Sequence, residues 1–179
     1  MENEHTVLYQ LTETSPFMMS FVVITKQNNA IIIDGGMEAD MPLLKEYVGN
    51  RHVSAWILTH AHSDHIDGFV SEMRKNGGKD FDIEKIYYNF PPYSLIEKHD
   101  VPDYEYFKSE LDEMLPAFNE VLPLFRDKTH IVTQGESIQI DEVQIDFLFT
   151  YHPDLVANLM NDSSLVFKLT TPNISVLFL

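Results

Sequence analysis

The sequence predicts a mixed α/β domain in which helices cover the faces of a sheet. Three observations carry this. Apolar, β-branched runs and helical periodicities alternate in the order strands, helix, strand, helix, strand, helix, strands. The 179 residues are 44% hydrophobic and 22% charged, enough apolar material for one sizeable core. No linker, internal repeat or low-complexity tract divides the chain, so residues 1–179 read as a single domain.

The first third reads as an antiparallel meander. Thr6–Leu11 and Phe17–Thr25 are rich in β-formers and are separated by the turn residues Thr14, Ser15 and Pro16. Gln27, Asn28 and Asn29 mark the next turn, and Ala30–Ile33 runs into Asp34, Gly35 and Gly36. Asp40 is placed to cap a helix through Tyr47 that carries Pro42 in its first turn. Val53–Thr59 is a second buried strand. A helix follows His65 and ends near Asn76 at Gly77 and Gly78. Ile83–Asn89 is a further strand.

Between Asp103 and Phe125 the apolar residues Phe107, Leu111, Met114, Phe118, Leu122 and Phe125 recur at helical steps, and Pro116 and Pro123 should kink or divide that helix. Strands return at His130–Val132, at a hairpin of Ser137–Ile140 and Val143–Phe149 around Asp141-Glu142, and at Leu165–Thr170 and Ile174–Leu179.

Composition narrows the function. A formal net charge of −16 repels phosphate backbones and anionic lipid, which disfavours extended nucleic acid and membrane surfaces as partners. Without cysteine there is no disulfide, thiolate chemistry or Cys-ligated zinc. The acidic, polar residues Met1–His5 carry no apolar signal core and no apolar run is long enough to span a bilayer, so a cytoplasmic protein is expected.

Chemistry concentrates in Thr59-His60-Ala61-His62-Ser63-Asp64-His65-Ile66-Asp67-Gly68. Three of the chain's eight histidines fall within six residues there, with Asp64 between them, directly after a buried strand. A chain leaving a strand for a helix turns close-spaced side chains toward one point, where open sheets place their sites. His60 and His62 can reach one ion, and Asp64 and His65 a second; such donors suit zinc, and also manganese or iron. Tyr87, Tyr88, Phe90 and Tyr93 form an aromatic stretch that either lines a substrate pocket or packs on the following helix. The lone histidines His5, His52, His99 and His130 read as ordinary surface or core residues.

This run resembles the His-x-His-x-Asp-His signature of the metallo-β-lactamase superfamily, and Asp34-Gly35-Gly36 is similar to the family's upstream Asp, which supports the site. The resemblance covers nearly the whole chain. It implies an αββα sandwich with a metal site at one edge, His60 and His62 on the first ion, and Asp64 and His65 on the second. Two zinc ions are implied for the intact protein. It further implies a hydrolase that uses a metal-bound hydroxide on an ester, amide or phosphoester of a small-molecule substrate, with Asp64 also orienting the nucleophile.

Two departures matter. The family's third histidine on the first ion is replaced by Asn161-Asp162-Ser163-Ser164, which resembles the Asn-rich loop of the subset related to competence-channel DNA-uptake proteins. Asn161 is the candidate ligand there, with Asp162 and His152 as alternatives. The family's bridging Asp and last histidine would follow Leu179, so the chain is expected to be the N-terminal portion of the fold and to self-associate through its final strands. A binding module that keeps the fold without metal competence is the alternative function; a di-iron oxidoreductase would need carboxylate replacements not seen in the sequence.

Overall fold

A computed structural model describes residues 4–12, 17–96, 104–154 and 160–179. Seven strands form the first sheet: β1 (Val7–Gln10), β2 (Ser20–Ile24), β3 (Ala30–Asp34), β4 (His52–Ile57), β5 (Asp82–Ile83), β6 (Ile86–Tyr88) and β7 (Thr129–Ile131). Their order is β1-β2-β3-β4-β6-β7, with β5 beside β4. β8 (Ser137–Ile140), β9 (Val143–Phe149), β10 (Val166–Thr170) and β11 (Ser175–Phe178) form the second, in the order β11-β10-β9-β8. The helices are α1 (Met41–Val48), α2 (Ser63–Asn76), α3 (Tyr93–Ile96) and α4 (Tyr104–Val121), with 3₁₀ turns at Glu38–Asp40 and Leu122–Phe125.

The meander is present, since β1, β2 and β3 pair antiparallel. From β3 onward the pairings β3–β4, β4–β6 and β6–β7 are parallel, and each needs a crossover, supplied by α1, by α2, and by α3 with α4.

Two hydrophobic layers explain why β3 and β4 read as unbroken apolar runs. Ala30, Ile32, Trp56 and Leu58 face the helices, among Leu44, Phe69, Val70 and Phe118. Ile31, Ile33, Ala55 and Ile57 face the second sheet, among Val143, Ile145, Phe147, Phe167 and Leu169. A strand buried on both faces has no polar alternation. β9 is buried on one face, and its residues alternate from Val143 to Phe147 as a one-sided strand should. These are a helical layer and two sheets of the αββα sandwich. On the second sheet's outer side Leu148 and Leu177 are about half exposed, and Leu179 beyond them is exposed.

Several boundaries differ from the sequence reading. β2 begins at Ser20, because Phe17 has φ 65° and lies out in solvent. The turn at Thr14–Pro16, the helix start at Asp103 and His99 lie outside the described residues. Asp40 does not cap α1 through its side chain; it closes the preceding 3₁₀ turn, its Oδ2 accepting from the Met37 amide at 2.9 Å. The stretch Ile83–Asn89 is split into β5 and β6.

Pro116 does not divide α4. The missing amide bond costs about 3 kcal/mol, and burial of Leu115, Ala117, Phe118 and Val121 around it offsets that cost. Pro123 does mark a change, to the 3₁₀ turn. Three residues of the aromatic stretch pack in the interior, with Tyr88 and Phe90 edge-on to Phe118 and Tyr87 stacked on Phe147.

A pH-dependent tie joins β4 to β5. His52 lies between Asp82 (Nδ1 to Oδ2, 2.8 Å) and Glu84 (Nε2 to Oε2, 2.9 Å). The hydrogen bonds to Glu84 and then Asp82 raise its pKa above 6.5. A raised folded pKa gives stability that is full below the unfolded value and lost as pH rises through the folded one. The group is partly solvated, so screening keeps its worth below about 1 kcal/mol. Chemical denaturation should show His52→Gln less stable than wild type at pH 5.5 and equal to it at pH 9.

Candidate metal centre

The site forms where β4 ends and α2 begins. α2 starts at Ser63 with His62 as its N-cap, so Asp64 and His65 stand in its first turn and not ahead of it as the sequence suggested. The reason is tertiary. That turn is held by three backbone bonds from outside the helix: Met19 N–H donates to Asp64 O at 3.0 Å, Gly35 N–H to His65 O at 2.7 Å, and Gly68 N–H to Gly36 O at 2.8 Å. Asp67 also binds the start of the neighbouring turn, its Oδ2 accepting from Glu38 N–H at 2.8 Å.

Asp34 organises the site from below. It ends β3 with φ 57°, a left-handed conformation that Asp tolerates, and it is buried. Oδ1 accepts from the Thr59 amide at 2.8 Å; Oδ2 accepts from the Thr59 hydroxyl at 2.8 Å and from His65 Nδ1 at 2.7 Å. Its carbonyl accepts from Trp56 Nε1 at 3.0 Å. Thr59, with its own proton given to Asp34, faces His60 Nδ1 at 3.1 Å as an acceptor. Each carboxylate or hydroxyl oxygen thus takes an Nδ1–H, leaving the lone pair on Nε2 of both His60 and His65.

Those lone pairs point into one cleft of about 750 Å³. His60, His62, Asp64 and His65 line it with Asn161, Asp162 and Ser164, together with Met19, Phe149, Val166 and Leu179. The Asn161–Ser164 loop and the histidine run are tied where Leu165 N–H donates to Thr59 O at 2.9 Å. His60 Nε2 and His62 Nδ1 are 3.1 Å apart, and Asp64 Oδ2 and His65 Nε2 are 3.7 Å apart. Two nitrogens bound to one tetrahedral ion stand about 3.3 Å apart, so both pairs have a separation that suits chelation. Among the described residues no group of three or more His, Asp or Glu side chains is spaced to hold one ion. The donors stand as two pairs, each short of the three protein ligands of a catalytic zinc site.

The electrostatics keep His60 and His62 usable as ligands. Burial, with His65 and His62 beside it, drives His60 down to about 2, so its imidazole stays neutral. Burial also lowers His62, against the pull of Asp64. Burial opposes charge on His65 too, but the charge and hydrogen bond of Asp34 together with the charge of Asp64 raise that group, so a metal there must displace a proton.

The structure therefore gathers His60, His62, Asp64, His65 and Asn161 at one cleft. His152 is exposed, beside Asp154, and does not line it. Thr59 stood in the motif without a role, and its position immediately before His60 was the available signal. Met19 and Phe149 join through the tertiary fold and had none.

A helical layer on two packed sheets, with paired histidine and carboxylate donors at the end of a parallel strand, defines a class of metal-centre protein. The family model described as "Metallo-beta-lactamase superfamily" matches residues 15–154, and the chain belongs to that superfamily. No curated protein matches the sequence significantly. Among solved structures, the chain is similar to a metallo-β-lactamase from Cronobacter sakazakii (15% identity, TM-score 0.54, covering 96% of this chain and 64% of that one). It is similar to AidC, a dizinc quorum-quenching lactonase (18%, TM-score 0.61, covering 89% and 54%). It is similar to zinc-bound PqqB from Methylobacterium extorquens (10%, TM-score 0.55, covering 89% and 51%). The chain thus spans roughly half to two thirds of these proteins. Among the described residues no helix is long and apolar enough to cross a membrane.

Proposed function

We propose that this chain carries the metal-binding part of a metal-dependent hydrolase acting on an ester, amide or phosphoester. The observation that carries the reading is the convergence of His60 Nε2 with His62 Nδ1, and of Asp64 Oδ2 with His65 Nε2, on one cleft. His60 and His62 would hold a first ion, joined by Asn161 through its amide oxygen; Asp64 and His65 would hold a second. Imidazole and carboxylate donors favour zinc, with manganese or iron also suited, and zinc is the ion named for AidC and PqqB. A divalent ion acidifies water to a pKa near 7 and so supplies a nucleophile at neutral pH. Asp64 would also orient that water, while Asp34 and Thr59 would keep the histidine rings turned to the cleft.

Chromogenic ester, amide and phosphodiester substrates test this. With zinc or manganese the chain should hydrolyse at least one of them; a chelator should abolish the rate, and Asp64→Asn should lower it about a hundredfold with the circular dichroism spectrum unchanged. Failure on all three substrates with metal bound counts against it. A second reading, a binding module that keeps the fold without metal competence, is favoured by the loop Asn161–Ser164 standing where the family resemblance places a third histidine. Zinc titration separates the two readings, since the module would take up none.

Thr59→Val should weaken zinc binding about tenfold to a hundredfold by freeing the His60 ring, the usual cost of losing a metal ligand's supporting partner. Thr59→Ser, which keeps the hydroxyl, should restore it. Chelator-competition titration of the three proteins makes the comparison.

A further inference from the structure

The outer strand of the second sheet presents hydrogen-bonding groups that its own sheet does not use. Thr171 N–H donates to Ile174 O at 2.9 Å and closes the β10–β11 hairpin. Beyond that turn Ser175 stands opposite Thr170, Val176 opposite Leu169 and Leu177 opposite Lys168. Bonded and non-bonded pairs alternate along an antiparallel ladder, so Val176 exchanges its bonds with Leu169, while the N–H and C=O of Ser175 and Leu177 point away from β10. Among the described residues no strand of this sheet lies beyond β11. Monomers blunt such an edge with charge, proline or a bulge, and Ser175–Phe178 has none of these. Ile174 and Leu177 are apolar and exposed instead.

The edge is also stepped along its length. At one end Phe178 is buried and meets Phe21 of β2 edge-on at 5.2 Å. β1 lies one strand further out than β2, and its Leu8 packs toward this layer. The first sheet therefore overhangs β11 by one strand at that end. At the other end residues 172–175 are exposed, so the hairpin projects from under the first sheet. A twofold axis at Val176 sets each copy's overhang above the other copy's projection. Charge permits the approach: residues 163–179 contain no carboxylate side chain and one lysine, in a chain whose formal net charge is −16.

We propose that two copies of this chain join by antiparallel pairing of β11, centred on Val176. Ser175 then faces the partner's Leu177, and Leu177 faces the partner's Ser175, each pair exchanging both of its main-chain bonds. Ile174 packs beside the partner's Phe178, and Val176 beside the partner's Val176, so apolar side chains now in solvent join the core between the sheets. The contact is isologous, the same strand on both copies. It also sets the partner's Asn173 opposite Leu179, which lines the cleft.

Sedimentation velocity of the metal-free 179-residue chain from about 1 to about 300 μM should show monomer passing to dimer, as expected of a small interface. Leu177→Lys, at an exposed position, should weaken association about tenfold or more and leave the thermal midpoint unchanged. The chain has no cysteine, so single-cysteine variants report the register. Residues facing each other in a non-bonded pair have Cα atoms about 4.5 Å apart, within disulfide reach. Val176→Cys should therefore cross-link to a dimer under mild oxidation, and Ser175→Cys should not.

A chain that stays monomeric throughout overturns the inference. So does a dimer indifferent to Leu177→Lys, or one that cross-links through Ser175→Cys and not through Val176→Cys. A blocked peptide copying residues 174–178 tests the other occupant. If the chain is monomeric and this peptide shifts the amide resonances of Ser175 and Leu177, the edge accepts a separate strand and the second copy is wrong.

Discussion

Asp34→Ala should destabilise the fold by about 3–5 kcal/mol, the cost of leaving a buried, charge-assisted hydrogen-bond network without its acceptor. Three donors lose their partner at once: the Thr59 amide, the Thr59 hydroxyl and His65 Nδ1. Alanine is also less at ease than Asp at φ 57°. Asp34→Asn separates the causes. It keeps the size and the left-handed preference, but its amide cannot accept three donors, and its NH₂ turned toward Thr59 and His65 would set donor against donor. About half the loss should remain. Urea denaturation reads both, as a fall in midpoint with an unchanged slope. The same variants should bind zinc far more weakly, because His65 and, through Thr59, His60 lose the bonds that fix their rings.

Gly68→Ala should cost about 2–3 kcal/mol, although helix propensity alone favours alanine inside α2 by about 1 kcal/mol. A Cβ on Gly68 would stand 2.6 Å from Gly35 O, 2.8 Å from Met41 Sδ and 3.0 Å from Met37 O. The methionine sulfur can move, but the two carbonyls belong to the backbone that carries the Asp34-Gly35-Gly36 turn. Relief requires α2 to lift away, and that strains the bonds from Gly35 N–H to His65 O and from Gly68 N–H to Gly36 O. Thermal denaturation should show the loss, and zinc affinity should fall with it; a more stable Gly68→Ala would mean that propensity and not close packing rules this turn.

Much of this was legible in the residues. Ala30–Ile33 and Val53–Leu58 announce strands buried on both faces, since no polar residue alternates through most of either run. His60, His62, Asp64 and His65 cluster in the sequence, and all four line one cleft. What was not legible depends on contacts distant in sequence. The start of α2 at Ser63 follows from the amides of Met19 and Gly35, which take the carbonyls of Asp64 and His65. The continuity of α4 through Pro116 follows from burial of its neighbours against Phe69 and Tyr88. Phe149 and Val166 reach the cleft because two sheets pack face to face, a relation no local pattern encodes. Asn161 was read from loop position alone, and the structure brings it to the cleft through the bond between Leu165 and Thr59.

The central claim is that the rings of His60 and His62 offer Nε2 and Nδ1 to one ion. Imidazole ¹⁵N NMR during a zinc titration observes those atoms directly. The account predicts that zinc moves the Nε2 resonance of His60 and the Nδ1 resonance of His62 together, at one stoichiometric step, and that the His60 response vanishes in His62→Ala. Resonances of both rings that stay unmoved by excess zinc, or that respond at different concentrations through the opposite nitrogens, would contradict it.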